Sequence, residues 1–182
     1  KISTNKKLRI MIHASASLES AVLMFTCAKL GLHFSVIFEE LESLGIQNRI
    51  KLFKPNIFFS RLSEKIFISK MGFKSYNKIK FIYGEQLKKI IDSKENAKKV
   101  KNKIVDSPNS LFTLFTSGST GVPKGITHST GGYLLYSKLT CQNQFGINEN
   151  SVVLTASDAG WINGHTYSLF GPLSLGSTTI LI

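Results

Sequence analysis

This chain is short of several residue types, and each shortage excludes something. Cysteine occurs only at Cys27 and Cys141, too few for a disulfide framework or a cysteine-built metal site. Both lie in apolar runs of helical type, where a buried free thiol is the expected state. Such sparing use of cysteine fits a reducing compartment, and a cytoplasmic location is expected. No apolar run reaches the roughly 20 residues that span a bilayer, so no membrane partner is expected. Tryptophan occurs once, at Trp161, and arginine three times, at Arg9, Arg49 and Arg61, against 20 lysines.

What is plentiful is lysine, and it is unevenly placed. The net charge of +12 arises between Arg49 and Lys103, where 16 basic residues face 4 acidic ones, while the rest balances at 7 of each. A basic stretch invites a nucleic-acid reading. This one carries no recognisable nucleic-acid motif, and an abundance of Lys, Asn and Ile also follows from an AT-rich genome. No nucleic-acid partner is therefore expected.

A chain of 182 residues holds one sizeable core. It opens on Lys1 without a Met and stops at Ile182 inside the apolar β-type run Thr178 to Ile182. Complete domains seldom end in mid-strand, so a piece of a longer chain is expected.

The pattern along the chain is α/β. Leu8 to Ile12 reads as a strand. Ser17 to Leu30 carries Leu18, Ala21, Val22, Phe25 and Ala28 at helical spacing. Ser17 is its N-cap candidate, although Ser20 stands where a full capping box would have Glu or Gln. Gly31 is the natural C-cap, and His33 to Phe38 reads as the next strand. Strand, helix, strand implies parallel pairing. A helix over Leu44 to Phe53 ends before Pro55, and Asn56 to Phe59 is a short strand. Ser60 to Tyr76 fits no single element. Lys78 to Tyr83 reads as a strand and Glu85 to Lys103 as a lysine-faced helix with Leu87, Ile90 and Ile91 inward. After a polar linker come a strand from Leu111 to Phe115 and a helix from about Ser129 to Gln144. A strand near Val152 to Thr155, a helix near His165 to Phe170 and a last strand complete the pattern. Three stretches follow: a βαβ element over 1–60, a basic variable segment over 61–108, and the chemistry-bearing segment over 109–182.

The most informative run is Leu111 to Gly125, LFTLFTSGSTGVPKG. A strand feeds a loop of little bulk, with free backbone N–H groups, hydroxyls at Thr116, Ser117, Ser119 and Thr120, and one cation, Lys124. That is the chemistry for wrapping a polyphosphate. Gly118, Gly121 and Gly125 are free to take positive φ angles that aim amides at one anion. It is not a Walker A loop, because Lys124 is followed by Gly125 rather than Ser or Thr.

A second cluster, Ser157 to Pro172, reads SDAGWINGHTYSLFGP and follows a strand. Loops at the carboxyl ends of strands are where ligands sit in open α/β sheets. A lone Trp161 is first of all a core anchor. Asp158 is a cap or turn former, His165 a satisfied structural histidine, and Gly160 and Gly164 give room for a ligand's close approach.

The order TSGSTG-x-PKG over Thr116 to Gly125 is similar to the phosphate loop of the adenylate-forming superfamily. Together, TSGSTGVPKGITHSTGGYLLY and ASDAGWINGHTYSLFGPLSLGSTT resemble its acetyl-CoA synthetase branch, propionyl-CoA synthetases included. The likeness is close from Leu111 to Ile182 and looser over Arg9 to Ile50. It implies part of a layered α/β N-terminal domain with a mainly parallel sheet, truncated at its C-terminal end. It implies the joining of a short-chain carboxylic acid to ATP, giving acyl-AMP and pyrophosphate, and then displacement of AMP by coenzyme A. It implies that Thr116, Ser117, Gly118, Ser119, Thr120, Gly121 and Lys124 hold the β- and γ-phosphates. Trp161 would lie beside the acyl pocket and pantetheine tunnel, Ile162 would face the acyl group, and Asn163 and Gly164 would sit where substrate and coenzyme meet. Magnesium contacts, the adenine and ribose sites and a catalytic Lys would come from segments beyond Ile182. Catalysis by residues 1–182 alone is thus not expected, and no catalytic residue or metal ligand is assigned within them.

Three positions depart from the family pattern. Asn163 stands where Thr or Val is usual, which allows an acid other than acetate. Phe38, Glu39 and Glu40 replace Phe-Gly-Gly near the expected path of coenzyme A. The family's arginine pair has no clear match, Arg61 being the one arginine nearby. A degenerate ATP-binding relative without coenzyme handling, or another adenylate-forming ligase, stays open on these grounds.

Overall fold

The apolar run after residue 8 forms β1 (Arg9–His13), followed by α1 (Leu18–Lys29) and β2 (His33–Ile37). β1 and β2 pair in parallel, with Arg9 opposite His33 and His13 opposite Ile37, which is the expected βαβ unit. These come from a computed structural model that describes residues 8–74, 76, 78–93, 100–116 and 122–181. Helix α1 starts on a reciprocal cap. The Ser20 N–H donates to Ser17 Oγ at 3.2 Å, and the Ser17 N–H donates to Ser20 Oγ at 3.0 Å. Serine thus completes the box that Glu or Gln usually closes. The chain leaves through Gly31 at φ +62, where a Cβ would also lie 2.7 Å from Val105.

Further along lie α2 (Ser43–Phe53), β3 (Ile57–Ser60), α3 (Glu64–Met71), β4 (Lys80–Ile82), α4 (Gly84–Asp92) and β5 (Ser110–Thr116). They are followed by β6 (Lys124–Ser129), α5 (Thr130–Phe145), β7 (Val152–Leu154) and α6 (Ile162–His165). A π-turn (Thr166–Phe170), α7 (Gly171–Ser174) and β8 (Thr178–Ile180) close the described chain.

Among the described residues six strands form one sheet in the order β4-β3-β1-β2-β5-β6. Every neighbouring pair is parallel except β5 with β6. β7 and β8 pair in parallel as a separate ribbon. The class is therefore α/β with a mainly parallel sheet. Both faces of the central strands are covered, which is why they read as unbroken apolar runs. Met11, Ile37 and Phe58 pack with Ile46, Ile50 and Phe67 on one face. Ile12, Phe34 and Phe112 pack with Met24, Tyr133 and Phe170 on the other. Because β1, β2, β3 and β5 run the same way, His13, Ile37, Ser60 and Thr116 end on one edge of the sheet, and β6 begins there at Lys124.

The structure departs from the sequence pattern in three places. The stretch 60–76 contains α3, begun by Ser63, whose Oγ accepts the Ile66 N–H at 3.3 Å, and ended by Gly72 at φ +72. The lysine-faced helix expected to Lys103 stops at Asp92, because the later segment is held elsewhere: the Lys103 N–H donates to the Lys29 carbonyl at 2.9 Å. A nine-residue helix buries a single line of side chains, so Leu87 is 2% exposed while Ile90, expected inward, is 58% exposed. β6 is the third difference, since KGITHS lacks an apolar alternation and owes its strand form to pairing with β5.

Cys27 and Cys141 are free and buried, as expected, and burial pushes the Cys27 thiol up to about 12. Among the described residues no helix is long and apolar enough to cross a membrane.

Candidate functional site

The glycine- and hydroxyl-rich loop grows from the buried strand β5, whose Leu111, Phe112, Thr113 and Leu114 are inside the molecule. Its two ends meet as rungs of a ladder: Thr116 lies opposite Lys124, and Phe115 opposite Gly125. Thr116, Lys124 and Gly125, expected in the loop, thus stand in the β5–β6 ladder. Ser117, Gly118, Ser119, Thr120 and Gly121 lie outside the described residues. Lys124 is exposed, and no ion pair engages it among the described residues. The expectation for Gly125 is corrected. It sits in β6 without a left-handed φ, and its missing side chain instead admits Phe115 and Thr113, which a Cβ would approach to 3.1 and 3.0 Å.

A polar rivet that the sequence pattern did not reveal fixes the root of this hairpin. Thr113 Oγ1 lies 2.7 Å from Thr127 Oγ1 across the β5–β6 ladder and 2.8 Å from His33 Nε2 on β2. Three strands are tied below the loop mouth by hydroxyls and an imidazole that a hydrophobicity pattern does not weigh.

The second segment follows β7. Asp158 turns the chain: its Oδ1 accepts the Gly160 N–H at 2.6 Å and its carbonyl accepts the Trp161 N–H at 3.1 Å. His165 is fully buried and donates Nε2–H to the Ala159 carbonyl at 2.8 Å. A carbonyl only accepts, so the proton sits on Nε2, and among the described residues the buried Nδ1 has no hydrogen-bond partner. Burial holds this imidazole down at about 3, against the pull of the Ala159 carbonyl.

Two expectations for this segment are corrected. Trp161 is not a core anchor but is 60% exposed, its ring lying against Phe38 at 5.3 Å. Gly160 and Gly164 make room for the protein's own chain rather than for a ligand. A Cβ on Gly160 would lie 2.6 Å from the Phe38 ring, and one on Gly164 would lie 2.2 Å from the Asp158 carbonyl oxygen. These contacts present Trp161, Ile162 and Asn163 side by side on the surface, with Gly164 buried beneath.

Ile162 borders a cleft of about 330 Å³ between β6 and α5, lined also by Thr127, His128, Ser129, Gly132, Tyr133, Tyr136 and Thr166. Its inner wall is braced by Tyr133, whose hydroxyl lies 3.0 Å from Thr166 Oγ1. Burial lowers His128 and pushes the Tyr133 phenol up to about 12, so both are uncharged near neutral pH. His128, Tyr133 and Thr166 are candidates that the sequence pattern did not single out.

The edge formed by the ends of β1, β2 and β3 is strongly polar. Arg61 Nε meets Glu39 Oε2 at 2.8 Å, and the Ser15 N–H and Oγ both reach the same oxygen at 3.4 Å. Burial would raise the Glu39 carboxyl, but Arg61 and the Ser15 amide outweigh it and hold it below the usual range. Asp158 is raised, by burial first and then by the nearby carboxylates Glu40 and Glu39, against the Gly160 and Ala16 amides. His13 lies behind this edge, its Nδ1 2.9 Å from Ser60 Oγ, and burial lowers it to about 4.

Phe38 follows β2, and β2 pairs with β5, so the loop mouth at Thr116 and the Trp161 segment share one edge of the sheet. The exposed ammonium of Lys124 beside the Thr116 rung fits a polyphosphate. A metal is another matter: among the described residues no group of three or more His, Cys, Asp or Glu side chains is placed to hold one.

Residues 2–182 match the family model described as AMP-binding enzyme. The acetyl-coenzyme A synthetase of Helicobacter pylori strain HPAG1 is 32% identical over 203 aligned residues, covering 96% of this chain and 30% of that protein. Acetyl-coenzyme A synthetase 2 of Kluyveromyces lactis is 58% identical over 77 residues, covering 42% of this chain and 11% of that protein. The solved acetoacetyl-CoA synthetase of Streptomyces lividans shares the fold, with a TM-score of 0.78, at 16% identity, over 98% of this chain and 30% of its own. The chain thus spans less than a third of these relatives' lengths. With a matching family model over nearly every residue and acetyl-coenzyme A synthetases as its relatives, the chain belongs to the AMP-binding enzyme family.

Proposed function

We propose that this chain is the phosphate-gripping portion of an ATP-dependent, AMP-forming short-chain acyl-CoA synthetase. The observation that carries the proposal is the pairing of Thr116 with Lys124 at the mouth of the SGSTGVP loop, on the sheet edge where the parallel strands end.

The chemistry follows from charge. A carboxylate oxygen attacks the α-phosphorus of ATP, the bond to the bridging oxygen breaks, and pyrophosphate departs with the negative charge. A fixed cation and preorganised N–H and O–H donors stabilise that charge as it develops. Lys124 supplies the cation, and Thr116 with Ser117, Gly118, Ser119, Thr120 and Gly121 supplies the donors. The sulfur of coenzyme A then attacks the acyl carbon and AMP leaves. The acid lies in the cleft bordered by Ile162, with His128 and Tyr133 uncharged beside it. Trp161 and Asn163 border the acyl and acceptor side. Magnesium accompanies the nucleotide, and no described residue of this chain is assigned to hold it.

A second function, nucleotide binding without thiol transfer, is favoured by one observation. Arg61 is engaged by Glu39, so its guanidinium is not free for the coenzyme's phosphates. Pyrophosphate exchange by the full-length protein, followed by acyl-CoA formation, tests both. Exchange dependent on acetate, propionate or butyrate, with acyl-CoA formed on adding coenzyme A, supports the synthetase. Exchange without acyl-CoA supports another adenylate-forming activity. ATP binding with no exchange for any of the three acids overturns the ligase proposal.

A further inference from the structure

In the proposed function Lys124 must stand opposite Thr116, yet the usual devices that fix such a register are weak in this hairpin. Register is set by a buried apolar face or by a tight turn. β6, KGITHS, is exposed over Lys124 to Thr127 and has no apolar alternation. The sequence puts residues 117–123 between the two rung partners, too many for a tight turn to dictate the pairing. A slip of one residue would turn every side chain of β6, Lys124 included, to the opposite face. The hairpin is also thinly joined to the sheet. Among the described residues β2 and β5 share one ladder rung, Phe34 with Phe112, whereas β1 and β2 share five.

Thr113 supplies what these devices lack. Its buried hydroxyl lies 2.7 Å from Thr127 Oγ1, directly opposite on β6, and 2.8 Å from His33 Nε2 on β2. A hydroxyl has one proton and free lone pairs, so it donates to one of these partners and accepts from the other. Both bonds form with either tautomer of His33. His33 is itself seated: its ring meets Phe53 edge-on at 5.0 Å, and the Phe53 carbonyl accepts from Arg9 Nη1 at 2.9 Å. The methyl of Thr113 has a second use. A Cβ on Gly125 would lie 3.0 Å from Thr113 Cγ2, so the methyl packs against the main chain beside Lys124. On the neighbouring rung His128 stacks on Phe112 at 4.7 Å. That stack joins β6 to β5, whereas the Thr113 bonds join β6, β5 and β2.

We infer that Thr113 is a positioning residue for the phosphate loop: by bonding Thr127 and His33 at once it fixes the register of β6 and so the place of Lys124 at the loop mouth. This rests on the proposal that the loop grips the phosphates of ATP. Thr113 touches no reacting atom. It lies three residues, about 10 Å of extended chain, from Thr116, and acts through Lys124.

The test uses the full-length protein and acid-dependent pyrophosphate exchange, with kcat and the KM values for ATP and for the acid measured separately. Thr113→Val keeps the shape and the methyl but loses both bonds. It should lower kcat/KM for ATP about 5- to 50-fold, with the acid KM within about threefold of wild type. Thr113→Ser, which keeps the hydroxyl, should stay within about threefold of wild type for both. His33→Phe keeps a ring against Phe53 and loses only the bond to Thr113. At this half-buried position the fold survives even if Thr113→Val does not, and kcat/KM for ATP should fall about 2- to 10-fold. Placed on Lys124→Ala, Thr113→Val should cost no more than about a further twofold, because both act on one cation. Equal losses in the two backgrounds, or a lowered thermal midpoint with kcat/KM for ATP unmoved, would overturn the inference while leaving the proposed function standing. So would an acid KM that rises as much as kcat/KM for ATP falls, since Thr127 also lines the cleft given to the acid. A Lys124→Ala protein that exchanges at the wild-type rate, or a wild-type protein with no exchange, would instead overturn the proposed function, and the inference with it.

Discussion

His165 and Ala159 are joined by a hydrogen bond of 2.8 Å from Nε2 to the carbonyl oxygen, inside a fully buried pocket. It ties the last residue of α6 to the loop that precedes Trp161, and it makes this part of the protein sensitive to acid. Burial lowers His165 to about 3 and His13 to about 4, from 6.5. Between pH 6.5 and those values the unfolded chain binds protons that the folded chain refuses. Stability therefore rises with pH across this window and is lost as pH falls through it, by a few kcal/mol for each histidine on an order-of-magnitude scale. Asp158, raised in the folded state, has the opposite sign in the carboxylate range and offsets a little of this loss. The thermal midpoint of the full-length protein should fall steeply between pH 6.5 and 4.5. His165→Gln should be less stable at pH 7.5 but show a shallower fall. An equal slope in the variant would contradict the assignment.

Gly164 lies where α6 passes over the Asp158 carbonyl, and a Cβ there would sit 2.2 Å from that oxygen. The neighbour is backbone, which cannot swing aside like a side-chain tip. Gly164→Ala should cost about 1–3 kcal/mol and loosen the loop that presents Trp161 and Ile162. A lowered thermal midpoint with a raised acid KM is the expected result; an unchanged protein would show that the loop does not pack as described.

The serine box at the start of α1 gives a simpler check. Ser17→Ala and Ser20→Ala should each cost about 1 kcal/mol. The double variant should lose less than the sum, since each serine caps the other's N–H. Denaturant melts of the four proteins measure this, and strict additivity would contradict it.

These cases show what a hydrophobic pattern reveals and what it hides. The strands β1, β2 and β5 and the helix α1 were legible because burial on both faces leaves continuous apolar runs, and because Gly31 and Ser17 mark the helix ends. β6 was not legible, since Lys124–Ser129 is an exposed edge strand that takes its form from β5. Helix α3 had its signals in Ser63 and Gly72, hidden within a lysine-rich stretch. The site was legible as composition, from Thr116 to Lys124 and from Asp158 to Gly164. Its contacts were not: Phe38 against Trp161 and Thr113 between His33 and Thr127 join residues remote in sequence.

The most direct measurement is pyrophosphate exchange by the full-length protein carrying Lys124→Ala. Loss of one cation that stabilises the departing pyrophosphate should slow acid-dependent exchange by about 10- to 1000-fold, with the fold intact because Lys124 is exposed at the start of β6. Exchange at the wild-type rate would contradict the claim that this loop grips the phosphates of ATP.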